Sequence, residues 1–224
     1  MYLPLYSVLY FFMSGVFFFF ALRMQQTYQK TRSLIGLYFR NIALFSGIAS
    51  TIYALMGVFF PKNPLSLGVG NIIGEPFYLI GFVYIIASFF YLTFPKISQK
   101  KIITIGFIFV IVSIVSHIYF FPYPFIDEKG ILHFNAPTVP GLTFIVFATF
   151  AILPMIFALL KEAVHKNDLR ERSIFLAIAL FLFFFSGVMQ SIFSEPRLYT
   201  FSFFLQALAA AFLFAGINSR IKNN

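Results

Sequence analysis

One acidic residue lies within the long hydrophobic segments of this sequence. Glu75 stands in the run LGVGNIIGEPFYLIGFVYIIASFFYLTF and is the only Asp or Glu inside a predicted membrane span. A carboxylate at membrane depth is costly to bury, so it is by default a candidate for binding a proton, a cation or a solute. A second interpretation stays open, because the segment from Pro76 to Phe94 spans about 28 Å as a helix and could cross the membrane alone. Glu75 would then be a helix-start residue before Pro76, and the glycine-rich segment upstream an outer connection.

His117 is the residue best able to pair with Glu75. It lies in the fourth apolar run, about one turn from the predicted outer end, at a depth comparable to that of Glu75. A carboxylate and an imidazole at one level can form a protonatable pair, although a histidine can also simply bond to a neighbouring helix. Asn71 and Gln190 could line the same outer vestibule, with Gln206 nearer the middle of the membrane. Each of these amides could instead join neighbouring helices.

The sequence lacks the residue patterns of common membrane enzymes. Cysteine is absent, which excludes disulfides, thiolate metal sites and thiol catalysis. Neither an H-x-x-x-H nor an H-E-x-x-H spacing occurs, and there is no G-x-S-x-G motif and no pair of intramembrane aspartates. We therefore predict a non-enzymatic protein with no metal and no cofactor.

The composition indicates an all-α integral membrane protein. Hydrophobic residues make up 60% of the chain and charged residues 10%, whereas soluble domains have about 45–50% and about 25%. The 224 residues leave no room for a separate soluble domain, so residues 1–224 are expected to form one domain in the lipid bilayer. Seven apolar runs of spanning length are present, at about 3–22, 37–60, 67–94, 102–121, 141–160, 173–193 and 198–217.

The basic residues predict the orientation of these spans. An outer N-terminus leaves only Lys62, Lys129 and Arg197 outside, and it places thirteen basic residues inside: Arg23, Lys30, Arg32, Arg40, Lys96, Lys100, Lys101, Lys161, Lys166, Arg170, Arg172, Arg220 and Lys222. We predict a multi-pass plasma-membrane protein with its N-terminus outside and its C-terminus inside. The basic loops then set topology and could dock a protein partner, and nucleic acid is not expected. Tyrosines near the outer ends, Tyr6 and Tyr10 among them, are expected at the membrane interface.

The longest predicted outer loop covers residues 122–139. Two short β-prone pieces flank Asp127-Glu128-Lys129-Gly130, and Gly130 can occupy a left-handed turn position, so the loop is predicted to be hairpin-like. It could form a lid over the mouth of the bundle or lie as an interfacial loop among the headgroups.

Faint internal echoes raise the question of a duplication. Ala21-Leu22 matches Ala158-Leu159, and Ser46-Gly47 matches Ser186-Gly187. A duplication would give a three-plus-one-plus-three plan with the fourth helix as a linker. That plan is similar to the layout of SWEET-type sugar carriers and PnuC-type vitamin transporters, and the helix number is similar to that of seven-helix receptors. The likeness is one of layout and transfers no residues.

Two functions from different classes follow from these features. The leading hypothesis is a protein that binds or transports a small solute through an outward-facing vestibule bounded by Glu75, His117 and Gln190. The alternative is a seven-helix sensor, a receptor-like module or a membrane subunit of a larger complex. It is motivated by the small number of polar residues in the spans, since a path for a hydrophilic solute normally needs more hydrogen-bonding groups.

Overall fold

The computed structural model describes residues 4–135, 137–165, 170–192 and 196–218. Within these ranges the protein is almost entirely helical, which confirms the all-α fold class. The elements follow one another as α1 (Leu5–Thr31), α2 (Leu34–Phe59), α3 (Pro64–Thr93), α4 (Gln99–Tyr119), β1 (Phe125–Ile126), β2 (Leu132–His133), α5 (Thr138–His165), α6 (Arg170–Ile192) and α7 (Pro196–Asn218).

Six of these helices, α1 to α6, are long and apolar enough to cross a membrane, as expected of a multi-pass membrane protein. The apolar stretch Thr200–Gly216 of α7 is shorter than these six, so a seventh crossing stays a prediction. Two residues join α1 to α2 and four join α2 to α3, and such short connections make successive helices antiparallel. We call the end of the bundle that carries the two strands the hairpin end, and the opposite end the basic end.

The helices form a ring with one member outside it. In the described ranges α1 packs against α2, α2 against α3, α3 against α5, α5 against α6, α6 against α7, and α7 against α1, while α4 packs mainly on α3 and α5. Exchanging α1, α2 and α3 for α5, α6 and α7 maps each ring contact onto another. This arrangement agrees with a three-plus-one-plus-three plan, although the duplication itself and the orientation in the membrane remain predictions.

The outer helix α4 presents a single buried stripe to the ring. Gly106, Val110, Ser113 and His117 are its buried residues and recur at helical spacing on one face. The stripe approaches α3 closely, because a side-chain carbon at Gly106 would lie 2.7 Å from Val83 Cγ1. The other faces of α4 carry exposed apolar side chains suited to lipid, namely Ile105, Ile108, Ile111, Val112, Val115 and Ile118.

Glu75 lies in the interior of a helix, and the helix-start interpretation is wrong. Helix α3 begins at Pro64, where the Asn63 side chain caps it by accepting the Ser66 N–H at 3.1 Å, and it continues through Pro76. A non-helical turn before Pro76 would leave backbone groups unpaired at membrane depth, which costs several kcal/mol per group, whereas one internal proline removes a single hydrogen bond. Asn63-Pro64 is therefore the true start signal.

The observed helix bounds also differ from the predicted spans. Helix α1 runs to Thr31 and α5 to His165, beyond the predicted ends near residues 22 and 160. Hydropathy reports only the apolar part of a helix, and polar turns can continue it beyond the membrane. Tyr6 and Tyr10 are only 1% and 3% exposed, so they face the interior of the bundle and not the lipid, while their depth at the membrane interface stays a prediction.

The segment between α4 and α5 forms an antiparallel hairpin that packs on the bundle. Phe125 pairs with His133 and Ile126 with Leu132, and Gly130 in the turn has a φ of 75°, which favours glycine. The Tyr6 N–H donates to the Gly130 carbonyl at 3.1 Å, joining the turn to α1. Leu132 is buried in the same apolar cluster as α1 side chains.

Candidate functional site

Glu75 and His117 meet between α3 and α4. His117 Nε2 lies 2.8 Å from Glu75 Oε2, and the side chains are 5% and 10% exposed. His117 is brought there by the buried stripe of α4, on which Ser113 lies one turn earlier. The structure therefore pairs the two ionisable groups that the sequence placed at similar depth.

Further hydrogen bonds hold both side chains of this pair. His117 Nδ1 lies 3.0 Å from the Ser113 carbonyl oxygen, and since a carbonyl can only accept, Nδ1 carries a hydrogen. Ser113 Oγ donates to Glu75 Oε1 at 3.3 Å. At 2.8 Å the Glu75 carboxyl group and His117 Nε2 are within hydrogen-bond distance, so each is the other's partner.

The three predicted amide residues lie on both sides of the bundle. On α3, Asn71 Oδ1 accepts the Tyr53 hydroxyl at 3.0 Å. On α6 and α7, Gln206 Nε2 donates to Gln190 Oε1 at 3.3 Å, and Gln190 Nε2 donates to Ser202 Oγ at 3.0 Å. The two glutamines therefore join α6 to α7, in agreement with the interhelical role, while all three amides also line a cavity.

A cavity of about 170 Å³ lies inside the helix ring. All five predicted site residues line it: Asn71, Glu75, His117, Gln190 and Gln206. Its remaining walls are mostly apolar and aromatic, with Phe17, Phe82, Phe144, Phe183 and Phe184 among them. Along α3 the lining extends from Asn71 to Ile85, about 21 Å at 1.5 Å per residue. The polar residues cluster toward the hairpin end, and the deeper part is apolar.

Among the cavity residues that sequence reasoning did not select are Tyr53 and Phe134. Tyr53 of α2 holds Asn71 and packs its ring 5.9 Å from that of Tyr78. Phe134 follows β2, lines the cavity, and contacts the Tyr53 ring edge-on at 5.6 Å. A tyrosine in the middle of an apolar helix was the available signal for Tyr53, because a buried hydroxyl usually has a hydrogen-bond partner. Nothing in the sequence signalled Phe134, because its position depends on how the hairpin packs.

A second carboxylate–histidine pair lies in the hairpin, away from the cavity. Asp127 Oδ2 is 3.1 Å from His133 Nε2, and Asp127 Oδ1 accepts the N–H groups of Lys129 and Ile131 at 3.0 and 2.9 Å. Partial burial would raise the pKa of the Asp127 carboxyl, but the Ile131 N–H, then His133 and the Lys129 N–H outweigh it and lower that pKa below its usual value. The pair thus stabilises the turn.

Comparison with known proteins found no matching family model, no similar curated protein and no similar solved structure. The class of protein consequently rests on the fold and the site alone. Six long apolar helices around a partly polar cavity are typical of a polytopic membrane protein.

Proposed function

We propose that this chain is a non-enzymatic plasma-membrane protein that binds a small solute in the central cavity and passes it across the membrane. One observation carries the proposal: five residues from four helices, which sequence reasoning selected independently, all line one cavity inside the helix ring. The lining combines a few polar groups with an apolar wall, which is the usual character of a small-molecule site. The symmetric ring of helices adds support, because small facilitators bind their substrates between two halves.

The cavity volume limits the size of the solute. At about 170 Å³ it is close to the engineered apolar cavity of about 150 Å³ that binds benzene. A single ring or a chain of similar volume fits in this state of the protein.

Two glycines provide a variant that fills the cavity and a matched control that does not. Gly187 faces the cavity, and its nearest neighbour to an added side-chain carbon is Phe144 at 3.7 Å, whereas such a carbon at Gly15 meets nothing within 4 Å.

Native mass spectrometry of the full chain, extracted in mild detergent, tests the binding step. We expect a stoichiometric small molecule on the wild type and on Gly15→Leu, and its loss from Gly187→Leu. Val188→Phe is a second filled variant, since Val188 also lines the cavity. Retention of the same molecule by both filled variants, with normal elution on size exclusion, would place its site elsewhere. Proteoliposome flux of the identified molecule then tests transport.

The proposed orientation has its own test. Because the chain contains no cysteine, single introduced cysteines can be labelled without background. Glu128→Cys in the hairpin and Lys96→Cys at the basic end are both exposed positions. With the N-terminus outside, a membrane-impermeant maleimide labels intact cells at residue 128 and not at residue 96, and the reverse pattern would invert the topology.

A sensor or a subunit of a larger complex is the second candidate. The observation that favours it is the apolar character of the cavity together with Phe134, which brings the hairpin to the cavity wall. A solute that binds stoichiometrically but shows no flux in proteoliposomes, with a protein co-purifying through the basic loops, supports this candidate over a transporter.

A further inference from the structure

Two amide side chains that face the cavity keep a hydrogen-bonding group unused. Gln206 is 7% exposed, and its Oε1 is buried without a hydrogen-bond partner in the described part of the chain. Asn71 is 4% exposed, and the one hydrogen bond that the described residues give it is accepted by its Oδ1, which leaves its Nδ2 donor unused. Leaving a buried acceptor such as Gln206 Oε1 unpaired costs about 1–3 kcal/mol. Asn71 and Gln206 lie on α3 and α7, and both residues line the same cavity.

The cavity offers no counter-charge to a charged solute. Apart from tyrosines, Glu75 and His117 are the only ionisable residues among the described cavity residues. They pair with each other at 2.8 Å, and Ser113 occupies the other carboxylate oxygen. Bringing a charge into an apolar site without a partner is costly. Because Glu75 and His117 are each other's partners, neither is left to neutralise a charged ligand in the cavity.

The apolar walls favour a flat ring. Phe82 and Phe144 pack with their ring centroids 5.6 Å apart, and both line the cavity. The cavity residues Phe17 and Phe183 also stack, at 5.5 Å between centroids. Aromatic faces and edges interact favourably with another ring placed against them.

We infer that the ligand of this cavity is an uncharged, ring-sized molecule with both a hydrogen-bond donor and an acceptor, as in a cyclic amide. This inference rests on the proposed function and specifies its ligand class. The ligand donor bonds to Gln206 Oε1, the ligand acceptor takes the Asn71 N–H, and the ring lies against the phenylalanines. Both unused amide groups are then satisfied.

Three probes of similar size separate the parts of this inference. 2-Pyridone has a donor and an acceptor, N-methyl-2-pyridone has lost the donor, and benzoate carries a charge. Binding to the full chain in nanodiscs is measured by ligand-detected NMR titration. We expect 2-pyridone to bind, N-methylation to weaken binding roughly 5- to 150-fold because Gln206 Oε1 stays unpaired, and benzoate to bind more weakly than 2-pyridone.

Gln206→Met keeps the side-chain length and removes the acceptor, so it should reduce the difference between the two pyridones to less than about threefold. Gln99→Leu is the matched control. Gln99 also has a buried Oε1 without a partner in the described ranges, but it lies at the basic end and does not line the cavity. This variant should keep the full difference. Asn71→Leu is the second cavity variant and should weaken the binding of both pyridones.

Equal binding of the two pyridones, tighter binding of benzoate, or no binding of any probe overturns the inference. The proposed function is decided separately, by whether Gly187→Leu loses the small molecule that co-purifies with the wild type. A charged molecule lost from Gly187→Leu would refute the ligand class and support the proposed function.

Discussion

The molecule contains two carboxylate–histidine pairs that use the same chemistry in different ways. Glu75 and His117 are 2.8 Å apart, and their side chains are 10% and 5% exposed. Asp127 and His133 are 3.1 Å apart in the hairpin, and the Asp127 side chain is 20% exposed. The hairpin pair joins residues six positions apart, whereas the buried pair joins two helices.

The partners of the two carboxylates show what each pair does. Asp127 also accepts two backbone N–H groups of its own turn, so its charge organises local backbone. Glu75 is held by Ser113 and His117, both from α4, and α4 lies outside the helix ring. The buried pair therefore fixes α4 to the cavity wall. We expect its loss to affect the whole bundle and the loss of the hairpin pair to stay local.

Removing one partner of the buried pair is expected to have the largest effect. Glu75→Leu leaves His117 without its partner in an apolar environment, and breaking a buried pair in this way costs about 3–5 kcal/mol. The measurement is thermal unfolding of the purified protein in detergent. Glu128→Leu, at an exposed acid of the hairpin turn, is the control and should stay within about 0.5 kcal/mol of the wild type.

The double variant Glu75→Leu/His117→Leu sharpens this prediction. A buried ion pair replaced by apolar residues of similar volume is often nearly neutral, so the double variant should regain most of the stability that Glu75→Leu loses. If the double variant lost as much stability as Glu75→Leu and His117→Leu lose together, the two residues would not interact. That result would contradict the role given to the pair.

Removing the hairpin carboxylate should have a smaller and more local effect. Asp127→Ala removes the acceptor of the Lys129 and Ile131 N–H groups as well as the partner of His133. Because Asp127 is partly exposed, water replaces some of these bonds, and we expect a loss of about 1–2 kcal/mol. Hydrogen exchange should speed up at residues 129 and 131 and stay unchanged in α3. Faster exchange throughout the bundle would show that the hairpin is not a local unit.

The hairpin should also respond to acid. The pKa of Asp127 is lower in the folded hairpin than in the unfolded chain, so the carboxylate stabilises the fold above its unfolded pKa of about 3.9. This contribution is lost as the pH falls below that value and through the folded pKa. Hydrogen exchange at Ile131, corrected for its intrinsic rate, should be constant from pH 6 to about pH 5 and increase below about pH 4. An Asp127→Ala hairpin should show no such step.

The two pairs also differ in how far the sequence could predict them. Asp127 and Gly130 lie within one turn and carry their own signals, a turn-forming acid and a glycine with a positive φ. Glu75 and His117 could be assigned a similar depth from hydropathy, but their contact depends on which face of α4 packs on α3.

The proline at residue 76 masked the helical continuity of α3, because a local rule for helix starts competes with the need to satisfy backbone groups in the membrane. The burial of Tyr6 and Tyr10 could not be predicted for a related reason, since tertiary packing and not residue type decides it.

Two serines of α4 provide the finest test of the comparison. Ser113 donates to Glu75 at 3.3 Å, whereas Ser116 Oγ is buried without a partner in the described part of the chain. Both changes to alanine remove the same hydroxyl from the same helix, so their effects on helix propensity cancel. We expect Ser113→Ala to cost about 1 kcal/mol, because Glu75 loses a donor, and Ser116→Ala to be neutral or slightly stabilising. Equal losses in thermal unfolding would mean that Glu75 does not depend on Ser113, and that His117 alone holds the carboxylate between α3 and α4.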